Sequence, residues 1–164
     1  MSNKTVVTIR TIEPHEYDIL DEFLYHAIYL PKGAKPLPRI IIYISEIYVY
    51  AQDFGKQRGD HGVVAEHGDK IIGMAWTRII PAFGHVDCDT PELAISILPE
   101  YRGQGIGTKL MQKLFDILRE NGYKKTSLSV QKDNPAVRFY LKLGYEIVED
   151  RFGGDCIMIY NVYK

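Results

Sequence analysis

Apolar residues that alternate with polar ones, or that continue over a short stretch, mark about seven candidate strands along the chain. The pattern is clearest where two apolar runs are separated by Gly68-Asp69, because such a pair is typical of a tight hairpin turn. The first candidate strand is rich in Val, Thr and Ile, which favours a pleated conformation. The predicted strands cover 5–12, 63–67, 71–80, 93–98, 126–130, 145–148 and 156–162.

Apolar side chains at three- and four-residue spacing predict helices between these strands. In the longest amphipathic run, Ile106, Leu110 and Leu114 share one face, and Gly122 is a favourable C-terminal stop. Each of the other two helices begins beside a proline, whose fixed φ suits a first helical turn. The predicted helices cover 15–29, 106–121 and 134–143.

The segment 39–51 is ambiguous. Its residues Ile40, Ile44 and Ile47 lie three and four apart, which favours a helix, but its many β-branched residues also suit a strand. The element order is one strand, two helices, and then strands interleaved with two further helices, without an internal repeat. This order predicts a mixed α/β fold with one sheet, in a single domain of residues 1–164.

Composition and charge exclude several classes of function. The chain of 164 residues has 46% apolar and 25% charged residues, which is enough to bury a core without metals or disulfides. Its net charge of −1 provides no broad basic field for nucleic acid or an anionic membrane. Cys88 and Cys156 fit no zinc or redox spacing, and neither a leader within residues 1–10 nor a membrane span is apparent. We therefore expect a soluble, cytoplasmic protein with free thiols.

A glycine-rich turn, Arg-Gly-Gln-Gly-Ile-Gly at 102–107, connects a predicted strand to the longest predicted helix. Backbone N–H groups and the positive end of the helix dipole converge there, which suits a phosphate. A dinucleotide fingerprint would need glycine where Thr108 stands, and a P-loop would need a Gly-Lys-Ser/Thr sequence that is absent. A simple tight turn would not require three alternate glycines and an arginine.

Two segments carry a family resemblance. Residues 97–107 (ILPEYRGQGIG) resemble the acetyl-coenzyme A signature of the GNAT N-acetyltransferase superfamily, Q/R-x-x-G-x-G/A. Residues 134–145 (NPAVRFYLKLGY) resemble the later motif of the same family, in which an asparagine begins a helix and a tyrosine precedes a Gly-Tyr strand start. The resemblance implies a mostly antiparallel sheet of about seven strands, with parallel strands 4 and 5 splayed apart and about four flanking helices.

The resemblance also implies where acetyl-CoA binds as co-substrate. Its pantetheine arm would lie in the gap between strands 4 and 5, paired with backbone groups of strand 4, and its pyrophosphate would lie on the glycine-rich turn. Asn134 would bond the arm, although a simple helix cap explains the same residue. The implied cofactor-binding residues are Ile95, Ser96, Ile97, Arg102, Gly103, Gln104, Gly105, Ile106, Gly107, Thr108 and Asn134.

The resemblance places Tyr140 beside the cofactor sulfur, where its hydroxyl would protonate the departing thiolate. A base is also needed, because an amine with a pKa of about 10.4 is almost fully protonated at neutral pH. Some family members carry a glutamate on strand 5, but Ser129 stands here. Glu92 is the preferred base, and the acids and histidine of the preceding loop are its rivals: His85, Asp87 and Asp89. No pair of residues has metal-ligand spacing, so we expect no metal.

The acceptor is less defined. The proline-broken segment 25–50 lies where the family builds its acceptor wall, and four tyrosines there would line it or pack in the core: Tyr25, Tyr29, Tyr43 and Tyr48. A small-molecule amine and a peptide or protein amine both remain open as partners, as does a homodimer. A second hypothesis is a non-catalytic acyl-CoA binding or sensing module, which Ser129 would favour. A third is a phosphate-binding transferase of another kind.

Overall fold

The computed structural model describes residues 6–163 and contains one seven-stranded sheet. The strands lie where the apolar pattern predicts them, although the predicted start at Thr5 lies outside the described residues. The strands are β1 (Thr8–Thr11), β2 (His61–His67), β3 (Lys70–Arg78), β4 (Glu92–Ile97), β5 (Lys125–Gln131), β6 (Glu146–Asp150) and β7 (Asp155–Asn161).

The sheet has the spatial order β1-β2-β3-β4-β5-β7-β6. Every neighbouring pair is antiparallel except β4 and β5, which are parallel. The β2–β3 hairpin turns at Gly68, whose φ of 60° is a left-handed conformation that glycine adopts without strain. The predicted mixed, mostly antiparallel sheet is confirmed.

Within residues 6–163, four helices flank the sheet: α1 (Leu20–Ala27), α2 (Ser45–Tyr48), α3 (Ile106–Glu120) and α4 (Ala136–Leu143). The single helix predicted over 15–29 is wrong in its extent. A 3₁₀ turn occupies Pro14–Ile19, where Glu13 and Glu16 form a capping box, and the chain becomes extended at Ile28. None of the helices in residues 6–163 is long and apolar enough to cross a membrane.

The ambiguous segment 39–51 is helical but broken. A 3₁₀ turn at Arg39–Tyr43 is followed by extended backbone at Ile44 and then by the single turn of α2. β-Branched side chains lose rotamer freedom in a helix, which explains why the isoleucine run forms two short turns.

The core lies between the sheet and the apolar stripe of α3. Leu110, Leu114 and Leu118 are fully buried on that stripe, which packs against the face of β2 and β3 that carries Val63 and Ala75. This packing fixes the start of α3, and with it the glycine-rich turn, at the end of β4.

Candidate active site

The sheet opens into a cleft where β4 and β5 diverge. Their parallel ladder has one register pair, Glu92 with Ser127, beside which the Ser127 N–H donates to the Pro91 carbonyl oxygen over 3.0 Å. Beyond this pair the two strands separate. The splay predicted between strands 4 and 5 is therefore present.

Along β4, successive residues direct their backbone N–H and C=O groups alternately towards β3 and towards the cleft. The Leu98 N–H donates to the Ile72 carbonyl of β3 over 2.9 Å, so even-numbered residues of β4 turn their backbone groups towards β3. Backbone groups of Ile95 and Ile97 consequently face the cleft. Those of Ser96 do not, and its hydroxyl donates to a backbone carbonyl of α1 over 2.7 Å.

Two adjoining cavities of about 440 and 880 Å³ occupy the cleft. The smaller reaches Glu92 and Ser129, and the larger reaches the glycine-rich turn. Ile95, Asn134 and Tyr140 line both cavities. A single elongated molecule can therefore contact the glycine-rich turn at one end and Glu92 at the other.

The glycine-rich turn presents unpaired donors to the larger cavity. Gly103 and Gly105 have φ values of 76° and 79°, which most side chains would make unfavourable. Gly105 precedes α3, and the Lys109 N–H already donates back to its carbonyl. The N–H groups of 106–108 are therefore left without intrahelical acceptors, and no side chain among the described residues caps them.

Most of the predicted phosphate-binding positions line the larger cavity, whereas Gln104 is exposed and does not. Arg102 donates through Nε to the Ile97 carbonyl oxygen over 2.9 Å, so its guanidinium lies at the junction of turn and strand. At Gly107 an added Cβ would lie 3.2 Å from the Phe139 ring, because α3 and α4 approach closely there. The predicted residues that line this cavity are Ile95, Ser96, Ile97, Arg102, Gly103, Gly105, Ile106, Gly107, Thr108 and Asn134.

Tyr140 and Asn134 both line the cleft, on the side opposite β4. The Tyr140 ring makes edge contact with Tyr145 at a centroid distance of 5.6 Å, and burial raises the pKa of Tyr140 to about 12. Its hydroxyl stays protonated at neutral pH and can donate. The Asn134 side-chain oxygen accepts the Ala136 N–H over 2.9 Å, which leaves the Asn134 amide group for another partner.

Glu92 is the buried acid of the smaller cavity, with 2% exposure. The Tyr50 hydroxyl donates to its Oε2, whereas Oε1 has no hydrogen-bond partner in the described part of the chain. Burial raises the pKa of Glu92 to about 7, against the opposing effects of the Tyr50 hydroxyl, the Gly84 amide and the charge of Arg151. A carboxylate of this kind exchanges a proton near neutral pH.

Tyr50 and Gly84 are site residues that the sequence analysis does not single out. A Cβ at Gly84 would lie 2.9 Å from the Glu92 carboxyl carbon and 2.8 Å from the Ser129 nitrogen, so only glycine fits. The Ser127 hydroxyl donates to the Gly84 carbonyl over 2.7 Å and holds the loop in place. One tyrosine among twelve and one glycine in an irregular loop carry no sequence pattern that marks them.

The rival bases lie elsewhere. His85, Asp87 and Asp89 line neither cavity, and the two aspartates face Lys125 and Arg58 at 3.9 and 3.3 Å. Of the four tyrosines of the predicted acceptor wall, Tyr29 lines both cavities and Tyr25 lines the larger one. The other two, Tyr43 and Tyr48, line neither.

One group of three potential metal-ligating side chains occurs within residues 6–163. Ligand atoms of Glu13, His15 and Glu16 lie within 4.8 Å of one another, directly after the edge strand β1, which is separated from the cleft by β2, β3 and β4. Arg10 pairs with Glu16 over 2.5 Å and lowers its pKa to about 2. This group therefore belongs to a surface ion pair rather than to the cleft.

A sheet split at two parallel strands, with a helix N-terminus at one end of the split and a buried acid at the other, is the architecture of an acetyltransferase. The family model described as "Acetyltransferase (GNAT) family" matches residues 26–145. The chain belongs to this family.

Curated relatives match parts of the chain. An N-alpha-acetyltransferase 30 from Schizosaccharomyces pombe is 42% identical over 52 residues, which cover 31% of this chain and 35% of the relative. A mycothiol acetyltransferase from Saccharomonospora viridis is 32% identical over 91 residues, covering 52% of this chain and 30% of the relative. The chain thus spans about a third of the length of these relatives.

Solved structures match the fold over nearly the whole chain. The PaiA N-acetyltransferase from Thermoplasma acidophilum, in complex with coenzyme A, has a TM-score of 0.67 at 22% identity and covers 95% of this chain and 99% of its own. The ribosomal-protein-S18-alanine N-acetyltransferase from Escherichia coli has a TM-score of 0.64 at 19% identity, with coverage of 96% and 94%. At these identities the likeness concerns the fold.

Proposed function

We propose that residues 1–164 form a single N-acetyltransferase domain that moves an acetyl group from acetyl-CoA to a primary amine in a ternary complex. The observation that carries this proposal is the continuous cleft from the unpaired N–H groups of α3 to the buried Glu92 carboxyl. The solved relative with coenzyme A supports the choice of cofactor. The two free thiols are in keeping with a cytoplasmic location.

The cleft fits acetyl-CoA on its own chemistry. The N–H groups of 106–108 at the end of α3 are suited to hold the pyrophosphate, and the backbone groups of Ile95 and Ile97 are suited to pair with the pantetheine amides. The Asn134 amide group would donate from the opposite side. Acetyl-CoA supplies the activated acyl group as a thioester.

Glu92 and Tyr140 divide the proton transfers. Glu92 accepts the proton of the bound ammonium, which frees the nitrogen lone pair to attack the acyl carbon. Tyr140 donates its proton to the sulfur as the carbon–sulfur bond breaks. Backbone N–H groups on the open edge of β4 are suited to stabilise the negative charge that develops on the acyl oxygen.

The acceptor classes are a small-molecule amine and a peptide or protein amine. The names of the curated relatives include both kinds, with mycothiol on one side and an N-alpha-acetyltransferase on the other. Tyr29 and Phe83 line the smaller cavity and offer aromatic faces to an ammonium group. The net charge of −1 supports neither a nucleic-acid acceptor nor an anionic membrane partner.

Titration of acetyl-CoA in a calorimeter, followed by thiol release over a panel of amines, tests the proposal. Micromolar binding and amine-dependent thiol release are expected. Glu92→Gln and Tyr140→Phe should each lower turnover by about 10²-fold or more without changing acetyl-CoA affinity, because each removes one proton transfer. Glu120→Gln and Tyr163→Phe, which change exposed groups outside the cleft, are the matched controls.

Each outcome has a definite meaning. Binding without turnover for every amine, in wild type and variants alike, would favour the non-catalytic sensing module. Failure to bind acetyl-CoA would contradict the assignment of the cleft itself. Full turnover by Glu92→Gln at all pH values would exclude this carboxyl as the base while leaving the transferase activity intact.

A further inference from the structure

The Glu92 side chain has one oxygen engaged and one free. The Tyr50 hydroxyl donates to Oε2, and Oε1 has no partner among residues 6–163. Free rotation would exchange the two oxygens and lose this distinction. A fixed donor on one oxygen therefore determines which oxygen meets the acceptor.

The position of Tyr50 is fixed by hydrogen bonds that side chains of β3 donate to the backbone around it. The Trp76 indole N–H donates to the Tyr50 carbonyl over 2.9 Å, and the Arg78 guanidinium donates to the carbonyls of Val49 and Gln52 over 2.9 and 2.5 Å. Trp76 and Arg78 both belong to β3, beside β4. The phenol consequently approaches Glu92 from a position fixed to the sheet, which is more than core packing of its ring requires.

The other groups that face Glu92 hold its carboxyl less directly than the Tyr50 hydroxyl does. Arg151 bonds the Phe83 carbonyl over 2.5 Å and lies near Glu149, so it acts on Glu92 by charge without a hydrogen bond to it. The Gly84 amide opposes the rise in the Glu92 pKa through the backbone. Three further titratable side chains, Tyr29, Tyr140 and Asp155, line the same cavity. Tyr50 is the side chain that donates directly to Glu92 within the described residues.

We propose that Tyr50 is the positioning residue for the base, holding Glu92 by Oε2 in its ionised form so that Oε1 receives the proton of the acceptor. This inference rests on the proposed function, because it assigns the proton transfer to Glu92. The phenol keeps its own proton, since burial and the adjacent carboxylate raise the Tyr50 pKa far above neutrality. It stabilises the carboxylate without taking part in bond breaking.

Tyr50→Phe tests the inference through its pH dependence. Loss of the donor destabilises the charged carboxylate, so the Glu92 pKa should rise and the acidic limb of kcat/KM should move up by about one pH unit. At pH 6 the variant should be about tenfold slower than wild type, and above pH 9 the two should converge. Tyr48→Phe, on the same segment but outside both cavities, should leave the profile unchanged.

A second measurement does not depend on turnover. The Glu92 carboxyl resonance, assigned by its loss in Glu92→Gln, gives the pKa directly in ¹³C-glutamate-labelled protein. The fluorescence of Trp76, the single tryptophan, verifies that the Tyr50 segment keeps its place in the variant.

A higher Glu92 pKa in Tyr50→Phe, together with the shifted limb, is the expected result. An unchanged Glu92 pKa, or an equal loss of activity at every pH, would overturn the inference and leave Tyr50 as a packing or substrate contact. If no amine is acetylated by the wild type, the proposed function fails, and the resonance still decides whether Tyr50 holds the carboxylate.

Discussion

At the scale of single residues, the site depends on one carboxyl placed where its ionisation is unfavourable. Glu92 is 2% exposed, and the hydrogen bond from Tyr50 offsets only part of the desolvation of its charge. Buried acids with pKa values near neutrality are suited to proton transfer. Such a residue also weakens the fold at the pH where it works.

That weakening is measurable through linkage. Because the folded-state pKa of Glu92 is raised from 4.5 to about 7, its protonated form stabilises the fold below pH 4.5, and this contribution is lost as the pH rises through 7. Glu92→Gln should therefore gain stability relative to wild type between pH 4.5 and pH 8, by about 3 kcal/mol. Urea unfolding of both proteins at the two pH values measures the gain. Equal differences at both would contradict the raised pKa.

At the scale of elements, the sequence predicts the strands and the helices α3 and α4 well, because periodicity and glycine or proline boundaries report local structure. For the segment 39–51 the sequence does not decide between helix and strand, because its apolar spacing favours a helix and its β-branched residues favour a strand. Tertiary contacts decide between the two. The glycine-rich turn and Glu92 are both predicted as site positions, and residues of both line the cleft. Tyr50 and Gly84 reach the cleft through long-range contacts, which no local pattern encodes.

The start of α3 is the element whose role can be isolated. Gly105 and Gly153 have φ values of 79° and 101°, and no atom lies within 4 Å of an added Cβ at either. Valine should strain the backbone at both sites to a similar degree. Only Gly105→Val is expected to weaken acetyl-CoA binding, by about tenfold or more, because it disturbs the N–H groups at the helix end. Calorimetric titration of the two variants checks this, and equal affinities would contradict the role of the turn.

At the scale of the whole molecule, a buried ion pair connects the segment between α2 and β2, residues 49–60, to the sheet. Arg78 and Asp60 have side-chain exposures of 2% and 0% and are 2.9 Å apart. Asp60 also accepts the backbone N–H groups of Gly55 and Gln57. The pair therefore connects the segment that carries Tyr50 to β3, and through it to the cleft.

Breaking this pair should affect the entire fold. Asp60→Asn leaves a buried guanidinium without a counter-charge, so unfolding should become easier by about 3–5 kcal/mol. Asp116→Asn, which removes an exposed pair with Arg119, should change stability by less than about 1 kcal/mol. Denaturant unfolding of the two variants gives both values. A similarly small loss of stability in both variants would show that other contacts hold the segment 49–60 on the sheet.

The ladder between β4 and β5 has a single residue pair. The sheet therefore consists of two panels, β1–β4 and β5–β7–β6, which are joined by that pair. Amide hydrogens on the open edge of β4, such as those of Ile95 and Ile97, have no ladder acceptor across the cleft and should exchange quickly with solvent. A molecule that fills the cleft supplies the missing acceptors and touches both panels at once. Slowed exchange at these two amides, together with tighter protection of β5, would then record cofactor occupancy residue by residue, without any chemical turnover.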